Sequence, residues 1–212
     1  MLIKKKVQWR NMTFWLIILI PYLTLIPAWI WYSHKLSDIN NASFIIINKA
    51  DMSLVQYNYM GEVIQKFNVA TGRGYGNKKK AGDLKTPEGV FSVAEIEDAS
   101  NWKHNFGDGL GEIAGAYGPY FIRLSVPNQK GIGIHGTHDD NSILTRASEG
   151  CIRMHNQDVQ KLAKSINPST VVVILPGYED VKANIEDTVQ HIIKKNKEEV
   201  HSSKSSKKNT VR

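Results

Sequence analysis

The chain has one cysteine, Cys151, among 212 residues, so no internal disulfide can staple it. It has no Asp, Glu, Lys or Arg between Arg10 and Lys35. It shows no internal repeat of useful period. The glycine run Gly72-Arg73-Gly74-Tyr75-Gly76 is not followed by the Lys-Ser/Thr of a phosphate loop. It also has fewer acids than bases, for a formal net charge of +7. That excess first suggests nucleic acid, but its distribution does not. Residues 1–13 carry four bases and no acid, residues 194–212 carry seven bases and two acids, and the middle carries 16 bases against 18 acids. A near-neutral body with basic ends fits membrane orientation and a solvated tail, and no nucleic-acid partner is expected. Hydrophobic residues at 42% and charged residues at 22% exclude wholesale disorder.

The uncharged stretch has a core, Phe14 to Tyr32, of 19 residues. As a helix rising about 1.5 Å per residue it spans roughly 30 Å, the thickness of a bilayer core. Trp15, Trp29, Trp31 and Tyr32 lie near its ends, where amphipathic rings favour the interface. Lys4, Lys5, Lys6 and Arg10 predict a cytoplasmic amino terminus and an extracytoplasmic remainder. The rival is a cleaved signal peptide, but residues 33–43 offer no A-x-A site and the apolar stretch is long. The expected organisation is a basic segment over 1–12, a transmembrane anchor over 13–33 and a linker over 34–42. A body over 43–176, an amphipathic helix over 177–199 and a disordered basic tail over 200–212 follow.

Within the body, short β-forming runs alternate with turn residues. Strands are expected over 44–48, 54–59, 63–69, 89–96, 119–126, 131–135 and 170–175, and a loop over 71–85. Asn156 is placed as the cap of a helix whose Val159, Leu162, Ala163 and Ile166 share one face. The body therefore reads as mostly β with one clear helix. Val181, Ile185, Val189 and Ile192 recur at helical spacing beyond it.

The densest chemistry lies between Ile134 and Asn156. A strand ends on His135-Gly136, and Cys151 follows in Ser148-Glu149-Gly150-Cys151. A thiol becomes a good nucleophile beside an imidazole that takes its proton. Gly150 permits a sharp turn that leaves backbone amides free for an oxyanion. Two other readings stand beside this one. Cys151 is a buried small hydrophobe, the commoner state of a lone cysteine. Alternatively, His135, His138, Cys151 and His155 supply four ligands to a structural zinc ion.

IHGT followed by S-E-G-C-I-R resembles the signature of the L,D-transpeptidase catalytic domain, the YkuD-type family, with HG, a gap, then S/T-x-G-C-x-R. Lys85-Thr-Pro-Glu-Gly-Val-Phe91 resembles that family's TPxGxF element, and Tyr117-Gly118 also fits its pattern. The resemblance implies a β-sandwich-like fold with one or two helices, here preceded by a single N-terminal transmembrane helix. It implies a cysteine acyltransferase that attacks the L-to-D bond of a peptidoglycan tetrapeptide stem and passes the acyl group to an amine. Carried over by residue, Cys151 is the nucleophile and His135 the general base. The Gly136 carbonyl orients the ring, and the amides of Gly150 and Cys151 hold the oxyanion. Ser148, Arg153 and Tyr117 fall to loop geometry and substrate binding. No cofactor or metal is implied, peptidoglycan stem peptides are the expected partner, and the oligomeric state is left open.

One position departs from the pattern. Many members have His before Gly-Cys where this chain has Glu149, a carboxylate that opposes thiolate formation or meets the cationic amine of an acceptor. His138, Asp139 and Asp140 read as an exposed loop, with contact to substrate as the lesser reading; Trp102 and His104 read as a surface loop, with lining of the cleft as the lesser reading. The alternatives to transpeptidation are a carboxypeptidase or hydrolase that uses water, and an envelope-binding module that keeps the fold without the chemistry.

Overall fold

The computed structural model describes residues 23–33, 42–106, 109 and 111–209, with side chains through 199. Two compact units are present, Met1–Ala42 and Ser43–Arg212. In the first, residues 23–33 are helical (α1) and expose Leu23, Trp29 and Trp31. The expected membrane span lies outside the described residues up to position 22, as do the basic segment and most of the linker. Among the described residues no helix is long and apolar enough to cross a membrane.

The second unit is mostly β. Its strands are β1 (Ser43–Asn48), β2 (Ser53–Asn58), β3 (Val63–Asn68), β4 (Thr71–Gly72), β5 (Gly89–Asp98) and β6 (Lys103–Asn105). They continue as β7 (Glu112–Ala114), β8 (Tyr120–Leu124), β9 (Gly133–His135), β10 (Arg146–Ser148), β11 (Ile152–Arg153) and β12 (Val171–Leu175). Eight of them form one sheet in the order β11-β9-β8-β5-β12-β1-β2-β3. The ten-residue β5 is the pivot. Gly89–Ser92 pairs with β12, and Val93–Asp98 pairs with β8, with a register shift between Val93 and Glu95. Such irregularities bend a strand. The mostly-β, sandwich-like body that was expected is thus built from one sheet that curls on itself.

Period-two patterning explains the core. In β1, Ile45 and Ile47 are fully buried while Phe44 and Ile46 are not. Leu54, Ile122, Ile134, Ile152, Val172 and Ile174 join them, with Val159 and Leu162 of α2 (Asn156–Ser165) packed in the same cluster. Each such side chain contributes about 1.5–3 kcal/mol on burial.

Besides α1, two helices occur among the described residues, α2 and α3, in line with the one or two expected in the body. The third, α3, runs Tyr178–Asn209, ten residues into the stretch expected to be disordered. Asn156 is not a cap. His155 holds the N-cap position without a side-chain bond, and Asn156 Oδ1 instead accepts the Thr137 N–H at 2.9 Å. The expected 71–85 loop contains β4, which pairs with β10. The hairpin β6–β7 had no patterning to announce it, because three-residue strands are too short to show a period.

Candidate functional site

The parallel pairing of β9 with β11 builds the site. Ile134 pairs with Ile152 and His135 with Arg153. Alternation sends both isoleucines into the core and puts His135, Arg153 and, one residue before β11, Cys151 on the opposite face. Met154 N–H donates to the His135 carbonyl at 2.8 Å and extends the pairing. Two segments distant in sequence thus meet at the end of the sheet.

His135 is buried, 4% exposed. Its Nδ1 lies 2.6 Å from the Gly136 carbonyl, a group that can only accept, so the proton is assigned to Nδ1 and the Nε2 lone pair is free. The ring stacks on Phe121 at 5.6 Å and meets Tyr117 edge-on at 4.9 Å. Burial lowers its pKa to about 3; the Gly136 contact opposes this, while the charges of Arg153, His104 and His138 add to it. The imidazole is therefore neutral at physiological pH.

Cys151 is partly exposed. Its thiol donates to the Gly131 carbonyl at 3.3 Å, not to the imidazole. Burial pushes its pKa up, opposed by the Gly133 amide and by the charges of Lys78 and Arg153, with Glu149 adding to the rise. Lys78 is buried beside Asp83 at 2.8 Å, in the loop whose lysines carried no function in the sequence reading. Gly150 has φ +136° and lies so close to the Lys85 carbonyl that a Cβ would come within 2.8 Å. Only glycine suits that turn. Its N–H donates to Ser148 Oγ at 3.1 Å, and Ser148 Oγ donates to the Cys151 carbonyl at 2.5 Å. Ser148 thus clamps the loop, occupies the Gly150 amide expected at the oxyanion, and leaves the Cys151 amide as the candidate donor.

Arg153 is 6% exposed and its guanidinium lies 5.2 Å from the centre of the Phe106 ring. Its Nε is buried without a hydrogen-bond partner among the described residues. Asp139, Cys151 and Glu149 are near enough to raise its pKa, but burial outweighs them and lowers it. A buried cation of this kind is costly unless paired.

Glu149 stands 3.0 Å from His104 Nε2 and 3.9 Å from Arg73, and Tyr117 Oη stands 2.9 Å from His104 Nδ1. Burial raises the Tyr117 pKa, and the nearby Cys151 and Glu149 add to it. Trp102 packs edge-on against Tyr117. Trp102 and His104, for which a surface loop was favoured over the cleft, therefore stand beside the site, His104 on β6 and Trp102 just before it. Asn156 was not expected there. It closes on Gly118 and Gly136 and so fixes the strand end that carries His135. The zinc reading finds no support in the geometry: His138 rests on Phe106, His155 Nδ1 pairs with Asp140 at 2.9 Å, and no metal-holding cluster occurs among the described residues.

A family model described as the L,D-transpeptidase catalytic domain, YkuD, matches residues 42–174. YqjB of Bacillus subtilis (strain 168), which carries the name of an L,D-transpeptidase, is 33% identical over 159 residues, 72% of this chain and 81% of its own length. YkuD of Bacillus licheniformis, named likewise, is 45% identical over 62 residues, 29% of this chain and 36% of its own length. Among solved structures, an L,D-transpeptidase from Xylanimonas cellulosilytica is 22% identical with a TM-score of 0.45, covering 63% of this chain and 60% of that one. The helical cell shape determining protein Pgp2 of Campylobacter jejuni is 28% identical with a TM-score of 0.47, covering 66% and 49%. This chain belongs to the YkuD family of L,D-transpeptidase catalytic domains.

Proposed function

We propose that the chain is an L,D-transpeptidase that acts on peptidoglycan tetrapeptide stems through a thioester on Cys151. The observation that carries this reading is the β9–β11 register, which sets a lone thiol and an imidazole with a free Nε2 on one face, beside a guanidinium whose buried Nε has no partner among the described residues. The neutral resting state supports general-base catalysis over a preformed thiolate–imidazolium pair. The thiol leaves the Gly131 carbonyl and gives its proton to His135 Nε2 as sulfur bonds to the carbonyl carbon of the L-to-D peptide bond. The tetrahedral oxyanion takes the Cys151 amide. Collapse breaks the C–N bond, and the imidazolium returns the proton to the departing D-amino acid. An acceptor amine then attacks the thioester, loses its proton to His135, and regenerates the thiol.

Arg153 is the candidate seat for a stem carboxylate, since a guanidinium binds carboxylate in a fork. Glu149, held by His104, is placed to meet the ammonium of the incoming acceptor. We place the enzyme on the outer face of the cytoplasmic membrane, held by the N-terminal segment. The test is incubation of the chain with disaccharide tetrapeptide, followed by mass spectrometry. A mass adduct on Cys151 and loss of the terminal D-amino acid are expected, both abolished in Cys151→Ala. A folded wild type that gives neither adduct nor product refutes the reading, and product from Cys151→Ala refutes the nucleophile.

A further inference from the structure

Beside Cys151 three polar side chains form an unbroken chain of hydrogen bonds. Tyr117 Oη lies 2.9 Å from His104 Nδ1, and His104 Nε2 lies 3.0 Å from Glu149 Oε2. A carboxylate can only accept, so the neutral imidazole carries its proton on Nε2 and turns the Nδ1 lone pair toward the Tyr117 hydroxyl. The order is hydroxyl, imidazole, carboxylate. In such a triad the hydroxyl donates to the ring, and the carboxylate fixes the tautomer and stabilises the imidazolium that forms when the ring gains a proton. Phe106 packs edge-on against the His104 ring at 4.5 Å, and Arg73 lies 3.9 Å from the other Glu149 oxygen. The inner end of the chain reaches the reacting groups. The Tyr117 ring is 4.9 Å from the His135 ring, and burial raises its pKa with Cys151 near enough to add to the rise. The outer end reaches water, since the His104 side chain is 28% exposed.

Transfer to an amine requires such a chain, an inference that rests on the thioester reading above. An aliphatic amine has an ordinary pKa of about 10 and arrives as an ammonium, which has no lone pair to attack with. Two protons must leave its nitrogen before the amide is complete. His135 handles one of them, taking it as the C–N bond forms and returning it to sulfur as the C–S bond breaks. It is a poor base for the other, because burial holds its pKa at about 3. His104 has a carboxylate against its ring, where His135 has the Gly136 carbonyl. We propose that Tyr117, His104 and Glu149 are a second proton relay, which turns the acceptor ammonium into the attacking amine. The ammonium gives a proton to Tyr117 Oη as the phenol proton passes to His104 Nδ1, and Glu149 stabilises the imidazolium. The free amine then attacks the thioester, and His104 releases its proton to water. Thioester and ammonium thus become amide, thiol and one released proton.

The experiment offers two acceptors in one mixture to the full-length chain, with disaccharide tetrapeptide as donor at neutral pH. β-Alanine and aminooxyacetate have nearly the same shape and both carry a carboxylate. The nitrogen of the first is an ammonium, whereas that of the second is already a neutral amine and needs no base to free it. Both compete for the same thioester, so the ratio of amide to alkoxyamide, read by mass spectrometry, does not depend on how fast the thioester forms. His104→Gln keeps hydrogen-bonding groups in place but cannot take up the proton. Tyr117→Phe keeps the ring and cuts the chain at its inner end. Each is expected to lower the ratio on the order of 100-fold. A side chain that only shapes the cleft slows both products together and leaves the ratio where it was. An unchanged ratio in either variant, or a wild type that makes alkoxyamide without amide, overturns the relay while the thioester stands. A wild type that makes neither product overturns both.

Discussion

The depressed pKa of His135 makes a sharp prediction about stability. The folded imidazole titrates at about 3, whereas an unfolded one keeps the ordinary 6.5. Between those values the unfolded chain binds the extra proton, so stability is complete above 6.5 and falls as the pH drops. At pH 4 the unfolded ring is protonated about 300-fold over its neutral form and the folded ring hardly at all, a loss of about 3 kcal/mol relative to pH 7. In His135→Gln that contribution is gone. The assay is urea denaturation of residues 43–212, one compact unit, as wild type and His135→Gln at pH 7 and pH 4. Other carboxylates, Asp83 and Asp180 among them, lose stabilisation in acid in both proteins and cancel in the comparison.

The expected result is that wild type loses about 3 kcal/mol more than the variant between the two pH values. A difference below about 1 kcal/mol means that the ring is not buried in the way described, or that it gains a partner when charged. The same depression predicts an acid limb of kcat/KM far below pH 6.5, since only the neutral Nε2 accepts the thiol proton.

Two further changes test the loop and the anion seat. Gly150→Ala puts a side chain at φ +136° against the Lys85 carbonyl and is expected to cost about 1–3 kcal/mol in denaturation; an unchanged midpoint refutes the strained turn. Arg153→Met removes a buried cation whose Nε has no partner among the described residues, so stability should hold or rise while KM for a carboxylate-bearing stem rises at least about tenfold; an unchanged KM assigns the guanidinium to packing alone.

The pieces of this site that could be read from the sequence were those with local signatures. His135 and Cys151 stood out because the HG and GC pairs place reactive side chains at a strand end and a tight turn. The strands β1 and β12 were visible because β-branched residues run together there, β2 by its apolar–polar alternation and β3 as its partner across the Gly61 turn. Asn156 was not visible, and His104 only as the lesser of two readings. His104 arrives on a three-residue strand without a period, and its partners Tyr117 and Glu149 lie 13 and 45 residues away. Asn156 looks like a helix cap in one dimension and becomes a strand clamp only when Gly118 and Gly136 come together. The stripe on α3 was legible as amphipathic, but its direction was not. Only the cluster of Lys49, Lys79, Lys85 and Arg146 on the body, which pairs with Asp180 and Asp187, shows that the polar face is the one that docks.

The resting chemistry of Cys151 also bears on how a lone thiol survives oxidation. Oxidation and alkylation proceed through the thiolate. Burial raises the thiol pKa, and the hydrogen bond to the Gly131 carbonyl holds the proton in place. The sulfur is therefore kept protected until a substrate draws it toward His135. This predicts that iodoacetamide labels Cys151 more slowly at pH 7 than it labels a small free thiol, and that the rate still climbs at pH 9. Lys78→Met should slow labelling further, because the Lys78 charge favours the thiolate. A labelling rate that reaches its plateau below pH 8 would mean that the thiolate is preformed, and the proton transfer proposed for His135 would have no proton to move.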